Sequence, residues 1–214
     1  MPCNPQVQSV RQRVARLDAD GTPSVDPADI YIAQALVSMQ ITPVVQAGEE
    51  MDIANAAGTA ACGSWKDFDR YKRWDVTGSV CTPDATLASI LQNGTILNVE
   101  GIDVPGYAAP ALNVDPDENG ISMELWARRI ARGGGIDPNY PFAWWALPRL
   151  YIYHASITFE NGPNQPSFRG WMVENTNWGD GPGDDWPEID APAIRAWQWI
   201  PTTTAPDPDC PAVS

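Results

Sequence analysis

The stretch Trp74–Asp75–Val76–Thr77–Gly78–Ser79–Val80 sets Trp, Val, Gly and Val against Asp, Thr and Ser at every second position. A period of two puts one row on each face of a β-strand, so this stretch predicts a strand with one face turned inward. The pattern then changes. Thr82 reads as a helix N-cap, Pro83 as the first helical residue, and Asp84 as an acid favoured by the helix dipole. Leu87, Ile90 and Leu91 make an apolar stripe, and Asn93–Gly94 supplies a stop. One short helix over about 82–92 is therefore predicted beside the strand.

Outward from this point, further runs alternate or are β-branched. They are Val10–Leu17, where Arg recurs on one side, Ile30–Val37, Ile41–Val45, Ile121–Trp126, Leu150–Phe159, Phe168–Val173 and Ile194–Ile200. Gly (17) and Pro (21) are spread along all 214 residues, which punctuates many short segments. The fold class expected is mainly β, with eight to ten strands and one flanking helix. Residues 1–200 read as a single β-rich domain. Residues 201–214, rich in Thr, Pro and Asp, read as a flexible tail.

Composition excludes several classes of function. Asp plus Glu number 27 and Lys plus Arg 13, a formal charge of −14. Nucleic acid and anionic membrane both select a basic footprint, so neither is expected as a bound partner. No run of about 18 apolar residues predicts a membrane helix, and Met1–Val10 is too polar for an export signal. A single histidine, His154, argues against His-based triads and His-rich metal sites. Cys3, Cys62, Cys81 and Cys210 lack zinc-ribbon spacing and read as free thiols.

Motifs add little chemistry. Asp115–Pro116–Asp117–Glu118–Asn119–Gly120 matches the first half of a calcium loop, but Trp126 stands where a bidentate Glu is needed. It reads as a turn into a strand over 121–130. Gly133–Gly134–Gly135 reads as a loop, and Asn93–Gly94–Thr95 as a turn rather than a glycosylation site. No carboxylate pair stands out for glycoside hydrolysis. No catalytic residue, cofactor or metal is expected.

The ten Trp are the unusual feature. Trp144 and Trp145 are adjacent and should point to opposite faces, whereas Trp197 and Trp199 should share one. Trp178 and Trp186 lie in a Gly/Asp/Pro loop and must bury against their own domain or a neighbour. With eleven Arg they favour an assembling surface. A sugar-binding platform is the rival use of the same Trp.

A series of stretches has a familiar order: Cys3–Gln6 with the Arg-alternating run and Leu17–Pro23, then Trp65–Arg73, Cys81–Asp84 and Gly120–Trp126. Ala146–Arg149, Glu160–Pro163 and Glu174–Pro182 follow. Together these resemble the major tail proteins of long-tailed, siphovirus-type bacteriophages, the subunits of the tail tube, and most closely those of phages infecting actinobacteria. The resemblance implies a tail-tube-type β-sandwich or barrel whose inner sheets join between subunits in a hexameric ring. Rings would stack into a virion tail tube, assembled in the bacterial host cytoplasm. Implied partners are further copies of the chain and the tape measure, tail terminator and tail-tip proteins. DNA would pass without specific binding, and no membrane is involved. Negative charge suits such a conduit, because DNA carries one charge per about 1.7 Å. Glu124, Glu160 and Glu174, in or beside alternating strands, are expected to face the lumen. Trp178, Trp186 and Trp144 are expected between subunits. Three alternatives stay open: a terminator or initiator sharing the fold, a Trp-platform carbohydrate-binding β-sandwich, and a small hydrolase.

Overall fold

Strands form in the described part of each run singled out in the sequence, residues 157–159 and 194–195 lying outside the described residues, and in two hairpins besides. The computed structural model describes residues 6–54, 56, 58, 61–81, 84–111, 119–156, 166–182 and 196–207. Its strands are β1 (Gln6–Arg16), β2 (Ile30–Ala33), β3 (Leu36–Gln46), β4 (Glu50–Ala54), β5 (Ala61–Lys66) and β6 (Arg70–Val80). The helix α1 (Ala85–Gln92) follows, then β7 (Thr95–Leu97), β8 (Gly106–Ala108), β9 (Ile121–Arg129), β10 (Phe142–Ser156), β11 (Ser167–Met172) and β12 (Gln198–Thr202). The protein is mainly β, with twelve strands among the described residues rather than eight to ten.

Eight strands make one antiparallel sheet. Seven run in the order β2-β1-β9-β10-β11-β6-β3, and β12 pairs with β10 off this path. β10 is long enough to serve two neighbours on one side. Phe142–Ala146 pairs with β12 and Leu150–Ser156 with β11. β2 and β3 close opposite ends of the seven-strand order, yet only Gln34 and Ala35 separate them. Three Cα steps span at most about 11 Å, so the sheet must roll until its two edges approach.

The rolled interior is apolar. Val14, Val76, Met123, Leu147, Leu150 and Met172 are fully buried there, and Leu87, Ile90 and Leu91 of α1 complete it. The predicted helical stripe therefore points inward. The helix begins later than predicted. Asp84 is its N-cap, and its carboxylate accepts from the Leu87 amide at 2.8 Å. Thr82 and Pro83 lie outside the described residues. Asn93 ends the helix in the left-handed conformation, φ 54°.

The expected loose tail is corrected in part. Pro201 and Thr202 belong to β12, and the Pro206 carbonyl accepts from Arg11 Nε at 3.1 Å. The ladder to β10 and this bond anchor the chain through that point. Residues 208–214 lie outside the described part.

Gly78, in the stretch that decides the fold, pairs with Phe168 across β6 and β11. A Cβ there would fall on the Phe168 ring, well inside van der Waals contact. Gly78→Ala is expected to lose about 1–3 kcal/mol of stability by overpacking, measurable by urea denaturation. An unchanged midpoint would mean that the ring moves aside freely.

Candidate functional site

Both faces of β9 are buried from Ile121 to Trp126. One face looks into the rolled core. The other carries a second cluster in which Trp126, Trp144 and Trp178 are 2%, 4% and 1% exposed. Trp126 and Trp144 stack with centroids 5.4 Å apart. Trp144 and Trp178 are thus core residues of this chain, and their expected place between subunits is corrected. The glycines of the loop bend it back over Trp178. Gly181 has φ +80°, and a Cβ on it would lie 3.1 Å from the indole. Trp186 lies outside the described residues.

Glu124 is corrected likewise. It is fully buried and chelated by Arg13, whose Nη2 donates to Glu124 Oε1 at 2.8 Å while its Nε donates to Oε2. The two residues face each other across β1 and β9. The Arg13 guanidinium also lies 5.4 Å from the Trp126 ring centroid. Glu124 therefore lines no passage; it neutralises a cation inside the fold. Glu160 lies outside the described residues. Glu174 is exposed just beyond β11.

Several stretches that carry the resemblance converge on one corner. Asn175, 3% exposed, donates to the Gly21 carbonyl at 2.8 Å and the Pro148 carbonyl at 3.1 Å. Asn177 donates to the Asp20 carbonyl at 2.5 Å, and Arg149 Nε to the Asn119 carbonyl at 3.2 Å. This corner satisfies backbone carbonyls where three loops meet, so its work is structural. At its tip the Thr22 backbone amide donates to Asp20 and holds that carboxyl below its ordinary range.

The surfaces open to a partner lie elsewhere. β4 and β5 form a separate hairpin, set between the last residues of β3 and the first of β6. Met51 stands opposite Trp65, and Ile53 shares their face. These three are 55–58% exposed, Phe68 at the base is 90% exposed, and Tyr71 70%. The other hairpin face is charged, with Glu50 opposite Lys66. Sequence reasoning missed this arm, although Glu50–Met51–Asp52–Ile53 alternates.

A second open surface is the outer face of β10, β11, β6 and β3. Its side chains fall in rows across the strands. One row is Ser156, Ser167, Ser79 and Ser38, with both hydroxyl pairs at 2.8 Å. The next holds Arg169, Thr77 and Gln40, and the third Tyr151, Trp171, Asp75 and Thr42. Beyond β3 the sheet has no further strand among the described residues.

Cys62 and Cys81 are exposed and form no disulfide among the described residues. Among the described residues no group of three or more His, Cys, Asp or Glu is placed to hold a metal ion. Neither protein-family models nor curated proteins give a match to the chain.

Two substitutions check the corrected assignments. Trp178→Ala should cost about 3–5 kcal/mol of fold stability, and a variant that melts like the parent would return Trp178 to a subunit boundary. Glu124→Ala leaves Arg13 buried without its carboxylate and should cost about 3–5 kcal/mol in denaturant titration. A loss below about 1 kcal/mol, the level of exposed pairs, would show that the pair is solvated.

Proposed function

We propose that this chain is a structural subunit that polymerises with itself as stacked rings, hexameric by the family resemblance, to form a phage tail tube that conducts DNA. The observation that carries this is the apolar arm. A two-stranded hairpin is marginal alone in water, yet this one presents Met51, Ile53, Trp65 and Phe68 to solvent. Exposed apolar groups of this kind, rimmed by charge, mark an interaction surface. Trp65 and Phe68 belong to the stretch Trp65–Arg73 that carries the resemblance.

Self-contact through unlike surfaces propagates, whereas contact through one shared patch stops at a pair. An arm separate from the sheet, together with the side of β3 that pairs with no further strand among the described residues, supports the propagating kind. A tail terminator or initiator of the same fold would use the same arm and stop after one ring. Tape measure, terminator and tail-tip proteins are the remaining partners under this proposal.

Purified protein at high concentration, examined by negative-stain microscopy and sedimentation velocity, should form rings or tubes of uniform width. Trp65→Ser and Phe68→Ser should weaken assembly by about 30-fold or more, the effect of losing a contact hot spot of about 2 kcal/mol. Their melting temperatures should match the parent's, because both side chains face solvent in the single chain. A parent that stays monomeric and binds polysaccharide would overturn the proposal.

A further inference from the structure

The methionines divide unevenly between the inside and the outside of the chain. Met123 and Met172 are fully buried in the rolled core, and Met39 packs against it. Met51 is 57% exposed on the apolar face of the arm, opposite Trp65 and on the same face as Ile53. Met1 lies outside the described residues. A thioether is oxidised according to how far it meets solvent, so among the described methionines Met51 is the most open to attack.

Oxidation at that place changes the arm and leaves the core alone. The sulfur lone pair attacks one oxygen of hydrogen peroxide, an S–O bond forms and the O–O bond breaks. The displaced hydroxide takes the proton of the new S–OH group and leaves as water. The sulfur gives up two electrons and the peroxide gains them. A flexible apolar side chain becomes a polar sulfoxide amid Ile53 and Trp65. A contact that covers this face must then bury an unpaired S=O group, which is unfavourable.

We propose that Met51 is an oxidation-sensitive switch on self-association: the arm docks with its thioether reduced and is blocked as the sulfoxide. The inference rests on the assembly reading above and adds its regulation. Free subunits present Met51 to peroxide, whereas docked subunits cover it. Assembly therefore protects the sulfur, and by the same linkage oxidation opposes assembly. A methionine sulfoxide reductase, drawing on a thiol reductant, returns the sulfoxide to the thioether and releases the arm from the block.

The test treats free parent protein with hydrogen peroxide and then with dithiothreitol. The second step returns sulfenic acids and disulfides of the exposed Cys62 and Cys81 to thiols and leaves sulfoxide in place. Peptide mass mapping should find Met51 oxidised about 10-fold faster than Met39, Met123 or Met172, following exposure. The melting temperature should match that of untreated protein, because Met51 faces solvent in the single chain. The concentration at which rings or tubes form should rise about 10-fold or more. Reductases for both sulfoxide epimers, with dithiothreitol, should bring it back. In preformed tubes Met51 should oxidise about 10-fold more slowly than in free subunits. Met51→Leu keeps an apolar side chain of similar volume, and its own assembly threshold should not move on the same treatment.

Oxidation of Met39 at the rate of Met51, or an unchanged threshold once Met51 is oxidised, overturns the inference and leaves the tube assignment standing. A loss of assembly that the reductases do not reverse, or Met51 that oxidises as fast in tubes as in free subunits, does the same. A Met51→Leu threshold that rises as the parent's does places the effect on another group and equally overturns it. If Met51→Leu forms no tubes, the reductase rescue of the parent decides. A parent that forms no ring or tube overturns the tube assignment itself, and the switch with it.

Discussion

Gln34 and Ala35 impose the constraint on which the rest of the molecule depends. They join strands that finish at opposite ends of a seven-strand order. A flat twisted sheet of seven strands would hold its edges about 29 Å apart, at about 4.8 Å per spacing. The two-residue link forbids that. The sheet rolls, its inner face becomes the core, and α1 packs onto it through Leu87, Ile90 and Leu91. The link is held in turn, because the Ala35 carbonyl accepts from the Cys81 amide at 2.8 Å just where β6 hands over to the helix.

Rolling also decides which outward faces are covered. Over β1, β9 and the first half of β10, the Trp178 loop and the end of β12 pack on the outside, and polar groups are caught beneath them. Arg13 and Glu124 are acceptable there because each satisfies the other with two hydrogen bonds. Over β11, β6 and β3 nothing described covers the outside. One sheet therefore has a doubly buried half and a singly buried half.

That division explains what was legible in the sequence. Alternation located most strands, Asn93–Gly94 located the helix stop, and adjacent Trp144 and Trp145 do point to opposite faces. Alternation does not say whether a polar row meets water. Glu124 sits in Ser122–Glu124–Trp126 as Thr77 sits in Asp75–Thr77–Ser79, yet one is buried and the other exposed. The difference is made by Arg13, 111 positions away in the chain, and no local pattern carries it. The loop around Trp178 failed for a related reason. Glycine permits a chain to reach outward or to fold back, and only the packing partner, here Trp126 and Trp144, selects between them. The arm was missed because its strands are five and six residues long and its apolar face stays exposed among the described residues.

The use of Trp bears on the rival readings. A sugar platform needs a ring face open to solvent with polar groups beside it. Trp145 stacks on Trp197 at 5.4 Å and on Trp199 at 6.1 Å, and Trp197 also meets the edge of Trp74. Trp74, Trp145 and Trp197 line a groove whose other walls are mostly apolar, with Leu36, Met39, Ile41 and Leu125 beside Ser38. Trp126 and Trp144 are consumed by each other. The most exposed described indole is Trp65, whose cross-strand neighbour is Met51 rather than a hydrogen-bonding group. An aromatic ring beside a thioether matches the composition of protein–protein contacts, which are enriched in both. The indoles thus divide between holding one chain together and presenting an apolar arm, a division suited to a subunit whose partner is another protein surface.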